Sequence, residues 1–255
     1  MSITTTDELE GMRRAGQVVA RALAAMRAAT VPGATPADIE AVGAGVLRDL
    51  GATAAPVAVY GAPCAAFVSV NDAVVHGLPS RIPLRAGDLV KIDVTPLVDG
   101  FVADGAITVP VEPSTSRGRR LARAAERALA AAVREVRPGV PVHALGAIIE
   151  RHVRRDGFAV IRDLTGHGVG RTIHEPPEVP NYDPGGPSPL LTEGLVLAIE
   201  PLVAERSGAI RLARDRWTYT TRDGGWAAHC EHTIVVTADG ALVLTAPESE
   251  RATTH

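Results

Sequence analysis

Apolar positions recur at helical spacing over several stretches of the chain and in short, strand-like runs over most of the rest. Thr5-x-x-Glu8 is a capping box ahead of an Ala/Val/Leu-rich run, which predicts a helix to about Ala28. Thr35-Pro36 opens a second helix that closes near Gly51. Thr115 or Ser116 begins a third, through about Arg134, and a fourth covers about 142–156. Strands are predicted near 64–71, 88–95 and 101–110, and the remainder to Leu244 reads mainly as strand and loop, with Gly185-Gly186-Pro187-Ser188-Pro189 the clearest loop. The polar last residues, 246–255, read as a frayed tail.

Asp99-Gly100 between two apolar β-type runs is a strong hairpin signal. With that turn, residues whose numbers sum to 199 (99 + 100) face one another, so Asp104 lies opposite Thr95. Asp93 is then the diagonal neighbour of Asp104 on the same face, roughly 7 Å away at the β-carbons. Pro96 cannot donate to the ladder, so one edge must be broken or bulged there.

The chain also contains a weak copy of itself. Pro32-Gly33, a helix, Arg48 and Gly51 recur as Pro138-Gly139, a helix, Arg154 and Gly157, at an offset of 106 (138 − 32). Gly87 and Asp93 match Gly194 and Glu200 at an offset of 107 (200 − 93), and Asp104-Gly-Ala-Ile-Thr-Val is similar to Glu231-His-Thr-Ile-Val-Val. This predicts two pseudo-symmetric halves, about 6–112 and 113–245, facing each other across a shared cleft in one domain, 1–255.

Asp93, Asp104, His167, Glu200 and Glu231 each sit in an apolar or glycine-rich context. A buried carboxylate without a partner is costly, so four in one core demand cations. Taken singly, each is ambiguous: an Asp in an apolar strand is more often a satisfied turn or cap residue, and Gly-His167-Gly often marks only a tight turn. His232 alternates away from Glu231. Lys91, on the same face as Asp93, reads as a salt-bridged or snorkelling side chain at the strand start.

With Val-Asn71-Asp-Ala-Val-Val-His76-Gly, Gly-His167-Gly-Val-Gly-Arg-Thr-Ile-His174-Glu-Pro-Pro and Glu231-His-Thr-Ile-Val-Val, the chain from about Thr6 to Gly240 resembles the type I methionine aminopeptidases of the pita-bread metallopeptidase group. Only 26 positions (200 − 174) separate His174 from Glu200, leaving no room for the helical insertion of the type II enzymes. The resemblance implies an α/β (α+β) pita-bread fold, each half with helices packed on an antiparallel sheet and a metal site in the central cleft. It implies removal of amino-terminal methionine ahead of a small second residue, through two divalent ions and a hydroxide between them. Asp104 and Glu231 would bridge, Asp93 would bind one ion only, and His167 and Glu200 the other. Oxygen ligands with one imidazole suit Co, Mn, Fe or Zn without choosing among them. Glu200 would be the general base, His174 would hydrogen-bond the carbonyl or tetrahedral intermediate, and His76 would contact the peptide backbone.

Departures from the family pattern concentrate in the implied methionine pocket. His76 and Trp217 are kept, but Val59 and Ala62 stand where bulky or aromatic residues are usual, Phe67 where cysteine is common, and Ile173 where Phe is usual. His229 replaces a Gln two residues before Glu231, and Thr95 and His229 are expected just behind the ligands. An accessory enzyme with altered residue preference is therefore one alternative. A catalytically dead peptide-binding module is another, though such relatives typically lose ligands that this chain keeps. The prolidases carry a large extra amino-terminal domain, against which the short lead-in before Pro32 argues.

Composition adds an expected setting. The 255 residues, 46% hydrophobic, are enough for a sizeable core, and a net charge of −3 suggests no nucleic-acid partner. Nothing reads as a signal peptide or a membrane span. Two cysteines, Cys64 and Cys230, make no disulfide framework. The expectation is a cytoplasmic monomer acting on the amino termini of nascent polypeptides, near the ribosome, with no membrane partner. The single lysine against 25 arginines reflects codon usage.

Overall fold

The structure, a computed structural model, describes residues 1–247; residues 248–255 of the expected tail lie outside them. Helix α1 (Thr6–Ala29) begins where Thr5 Oγ1 accepts the Glu8 N–H at 3.2 Å, and the Glu8 carboxylate closes the cap on Thr4 instead of Thr5. Helix α2 (Pro36–Asp49) has the full reciprocal box, Thr35 with Asp38. After β1 (Thr53–Ala54) comes a short helix, α3 (Ala55–Tyr60), that the sequence pattern does not predict. Its β-branched, one-and-a-half-turn sequence has little intrinsic helicity, so its ends hold it. Ala55 N donates to Thr95 O at 2.9 Å, and at the other end Gly61, at φ 67°, and Ala62 donate to Val57 O and Pro56 O.

Strands β2 (Phe67–Val70), β3 (Ala73–Val75), β4 (Leu89–Val94), β5 (Pro96–Val98), β6 (Phe101–Val102) and β7 (Gly105–Pro110) follow. The expected register holds throughout: Val98 pairs Phe101 in β5·β6, and Val94 pairs Gly105 and Asp93 pairs Ala106 in β4·β7. The break at Pro96 is a change of sheet, because β5 leaves the plane of β4 and joins β1 and β6. The strand expected near 64–71 is shorter, starting at Phe67.

Helices α4 (Ser116–Arg134, capped by Thr115) and α5 (Val142–Arg155) lead to β8 (Ala159–Val160), β9 (Thr165–Gly168), β10 (Glu175–Pro180), β11 (Val196–Ile199) and β12 (Leu202–Ala204). Then come β13 (Ile210–Leu212), β14 (Tyr219–Thr221), β15 (Ala227–His229), β16 (Glu231–Thr237) and β17 (Gly240–Val243). Helices α2 and α5, 14 residues each, start 106 positions apart (142 − 36), the offset of the sequence repeat.

The main antiparallel sheet runs β10-β9-β11-β16-β7-β4-β2, with β17 also on β16. Its middle seam is short: β16 meets β7 only at Glu231↔Ala106 and His232↔Gly105. Alternation along the strands decides what each side chain meets. Val90, Ile92 and Val94 of β4 join the apolar core beneath α1 and α2, while Leu197 and Ile199 of β11 with Ile234 and Val236 of β16 join the core beneath α4 and α5. Asp93 and Glu231, of opposite parity to those core positions, point away from the helices.

Candidate metal centre and active-site cleft

Five neighbouring positions in the sheet order supply five ionisable groups in one place. His167 is in β9, Glu200 directly follows β11, Glu231 begins β16, Asp104 directly precedes β7, and Asp93 is in β4. His167 Nε2 lies 3.6 Å from Glu200 Oε1 and 4.0 Å from Asp104 Oδ2. His167 Nδ1 is 2.9 Å from Gly168 O, and a carbonyl can only accept, so Nδ1 carries a proton and Nε2 is the nitrogen turned toward the acids.

Asp104 is held from several directions. Thr95 Oγ1 donates to its Oδ1 at 2.8 Å and the Gly105 N–H does so at 2.9 Å. The Asp104 N–H donates to Thr233 Oγ1 while the Thr233 hydroxyl donates to Asp104 O, both at 2.8 Å, which ties this acid to the strand that carries Glu231. On Glu200, the backbone carbonyl accepts from Asn181 Nδ2 at 3.0 Å. His229, buried, places Nε2 3.3 Å from Glu200 Oε2 and 3.8 Å from Glu231 Oε2, and neither ring nitrogen has a hydrogen-bond partner among the described residues.

Burial, followed in most cases by like charge, raises all four carboxyls. Asp93 is held well above the usual range by burial and then by Asp104 and Glu200, and Glu231 by burial and then by Asp104, Glu200 and Asp93. Burial pushes Asp104 up to about 6, against the opposing pull of His167 and the Thr95 hydrogen bond, and Glu200 up to about 7. Burial also pushes His229 down to about 4. Asp93 Oδ1 and Glu231 Oε1 are buried with no hydrogen-bond partner among the described residues, and Asp104, His167 and Glu231 can bring one ligand atom each to within 4.8 Å of one another. Mutually repelling carboxylates, orphaned oxygens and an imidazole nitrogen aimed among them fit a divalent cation.

Two of the alternative readings of neighbouring residues do not hold. The glycines flanking His167 do not mark a turn: a Cβ on Gly166 would lie 2.4 Å from Ala198 O and one on Gly168 2.3 Å from Pro176 O, so they let β9 pass close to the backbones on both sides. Lys91 neither snorkels nor pairs with an acid. It is 1% exposed, donates to Asn71 O at 2.8 Å and Leu89 O at 3.4 Å, and is pushed down to about 7 by burial. Its carbonyl partners lie at the turn between β2 and β3 and in β4 itself.

A cavity of about 60 Å³ opens beside the acids, lined by Pro56, Tyr60, Phe67, His76, Asp93, Thr95, Asp104, Ile173, His174 and Trp217. His76 adopts a left-handed backbone (φ 54°), a strained state that persists where surrounding structure imposes it. Its ring packs 4.9 Å from Phe67, and burial pushes it down to about 4. His174 stands at the rim, its ring 4.4 Å from that of His167; although accessible, it is pushed down to about 4 by partial desolvation and then by His167 and His76. Of the predicted pocket residues, Phe67, Ile173 and Trp217 line the cavity, whereas Ala62 is buried with Cys64 against Phe67 and Trp217. Tyr60 and Pro56 line it unpredicted, since no periodicity connects α3 with a histidine 114 positions downstream.

Residues 10–238 match metallopeptidase family M24. The chain belongs to that family. It is 37% identical over 247 residues to methionine aminopeptidase 2 of Bacillus subtilis, covering 96% of this chain and 99% of that protein. It is 36% identical to the methionine aminopeptidase of Escherichia coli K12, over 96% of this chain and 94% of that one. The crystal structure of methionine aminopeptidase from Thermotoga maritima superposes with a TM-score of 0.93 at 39% identity, covering 97% of this chain and all of the other. The prolidase of Pyrococcus furiosus shares the fold, at a TM-score of 0.78, 24% identity and coverage of 96% of this chain and 66% of the prolidase. A fold shared by methionine aminopeptidases and prolidases is the pita-bread fold, and membership of a metallopeptidase family supplies the divalent metal that the carboxylate cluster requires.

Proposed function

We propose that this M24 metallopeptidase is a methionyl aminopeptidase, removing the first methionine from polypeptides whose second residue is small. The observation that carries the reading is the meeting of five potential ligands from five neighbouring strand positions beside a cavity flanked by His76 and His174. Asp93, Asp104, His167, Glu200 and Glu231 would hold two divalent ions (Co, Mn, Fe or Zn), which when bound would supply Lewis-acid polarisation of the scissile carbonyl and a nucleophile active at neutral pH.

The chain's own groups do the rest. Phe67, Ile173 and Trp217 form the apolar wall that excludes water from the methionine side chain. His174 donates to the carbonyl oxygen as negative charge develops there. His76, neutral at physiological pH, hydrogen-bonds the peptide backbone beyond the cleaved bond. Glu200, whose carboxylate stands among the ligand oxygens within 3.6 Å of His167 Nε2, is the group placed to accept and return a proton. On this reading the protein acts as a monomer, in the cytoplasm, on chains emerging from the ribosome.

The deciding experiment is release of the first residue from a panel of short peptides, with each candidate metal added to metal-free protein. Release of Met from Met-Ala and Met-Gly peptides is expected. Metal uptake without release of any amino-terminal residue would turn the reading toward a binding module.

A further inference from the structure

Tyr60 is the last residue of α3, and its phenol oxygen lies 2.7 Å from His174 Nδ1, with the two rings 5.9 Å apart. Its mount is rigid for so short a helix: Ala55 is hydrogen-bonded to the Thr95 carbonyl, the residue whose hydroxyl holds Asp104, and Gly61 and Ala62 cap the other end. The phenol therefore reaches His174 from a platform tied to the centre itself. Tyr60 is 50% exposed, so nothing in the core requires an aromatic residue with a hydroxyl there.

A neutral imidazole has one N–H and one lone pair, and which nitrogen carries the proton is set by the hydrogen bond at the other. A phenol is the stronger acid and an imidazole nitrogen the stronger base, so the pair prefers O–H···N over N–H···O. We propose that Tyr60 is a positioning residue for the aminopeptidase reaction: its hydroxyl donates to His174 Nδ1, which keeps the N–H of His174 on Nε2 and the ring in one orientation. Without that bond the ring can flip or change tautomer and present a lone pair where a donor is needed. The proposal rests on the role given to His174 above.

The test uses the full chain, metal-loaded, with Tyr60→Phe, which keeps the ring and removes only the hydroxyl. Nitrogen-15 NMR of the imidazoles should show His174 as a single Nε2–H tautomer in the parent and as a mixture in Tyr60→Phe, with metal content unchanged. Turnover on Met-Ala-Ser should fall about 3–10-fold, the worth of one neutral hydrogen bond, with KM within a factor of two. In a His174→Ala background the same change should cost nothing. An Nδ1–H tautomer in the parent, an unaltered spectrum in Tyr60→Phe, or an equal loss in the His174→Ala background overturns the proposal. Full turnover of His174→Ala itself would instead remove the role of His174, and with it the functional reading on which Tyr60 depends.

Discussion

Phe67 and Asp93 occupy one rung of the β2–β4 ladder, Cα opposite Cα. Directly opposed residues put their side chains on the same face, so the aromatic wall of the cavity and the first acid of the cluster are fixed to each other. Changing Phe67 reshapes the cavity beside Asp93.

Selectivity follows from that wall. A methylene-sized mismatch in a hydrophobic pocket changes discrimination by only about 10–200-fold, and Phe67 and Ile173 both line the cavity. The parent is expected to prefer Met over Leu or norleucine only weakly, and Phe67→Cys combined with Ile173→Phe to sharpen that preference. Competition assays on Met-Ala and Leu-Ala peptides measure it; identical, strict Met selectivity in both proteins would defeat the pocket argument.

The bridging role of Asp104 is open to calorimetry. Asp104→Asn should lose both metal binding and turnover, because an amide cannot supply charge to two ions. Thr95→Val, which removes only the 2.8 Å hydrogen bond to that acid, should weaken metal binding by about 10–100-fold and leave the stoichiometry intact. Unchanged metal stoichiometry in Asp104→Asn would take it out of the ligand set.

His174→Ala tests the oxyanion role. Metal content should stay at the parental level while turnover drops by about 10²–10³, the cost of one lost donor. Loss of metal would make His174 a ligand.

Protons and metal compete for the same oxygens. In the metal-free protein Asp104 titrates at about 6 and Glu200 at about 7, both raised chiefly by burial, so below those values each holds a proton that a cation must displace. Affinity for Co or Zn should therefore climb steadily from pH 5.5 to about 7.5, with Asp93 and Glu231, also raised by burial, adding to the competition. Titration calorimetry in buffers of different ionisation heat should show proton release that is larger at pH 6 than at pH 8. Affinity independent of pH across that window would contradict the raised carboxyls.

Packing around His167 gives a stability prediction. Gly168→Ala pushes a methyl group against Pro176 O and Glu175 O, immovable backbone next to His174. Overpacking of this kind costs about 1–3 kcal/mol, and thermal unfolding of the metal-free protein should register it as a lowered Tm. A Tm unchanged within error would mean that β10 yields freely.

Much of this arrangement was readable from residues alone, and for definite reasons. Asp99-Gly100 fixes a register that then runs to Leu89↔Pro110, because a two-residue turn leaves no slack in pairing. Thr35 and Thr115 mark helix starts because side-chain caps are local chemistry. What depended on distant partners was hidden. Helix α3 is anchored at its start by one bond to the Thr95 carbonyl, and Tyr60 matters only because His174 arrives opposite it. Lys91 is buried because the β2–β3 turn offers it a carbonyl, a fact of assembly that no local pattern encodes.

The short seam between β7 and β16 sets a clock on synthesis. Strand β7 is complete by Pro110, but its partner on that side begins only at Glu231, 127 positions after Asp104 (231 − 104). At ~5–20 residues per second the ribosome takes roughly 6–25 s to cover that distance. For that interval the emerging first half presents the bare edge of β7 and a cluster missing half its acids. An open strand edge is a template for pairing with another chain, so this is when the nascent protein is most exposed to misassembly, and the arrival of β16 closes the edge and completes the cluster in the same event.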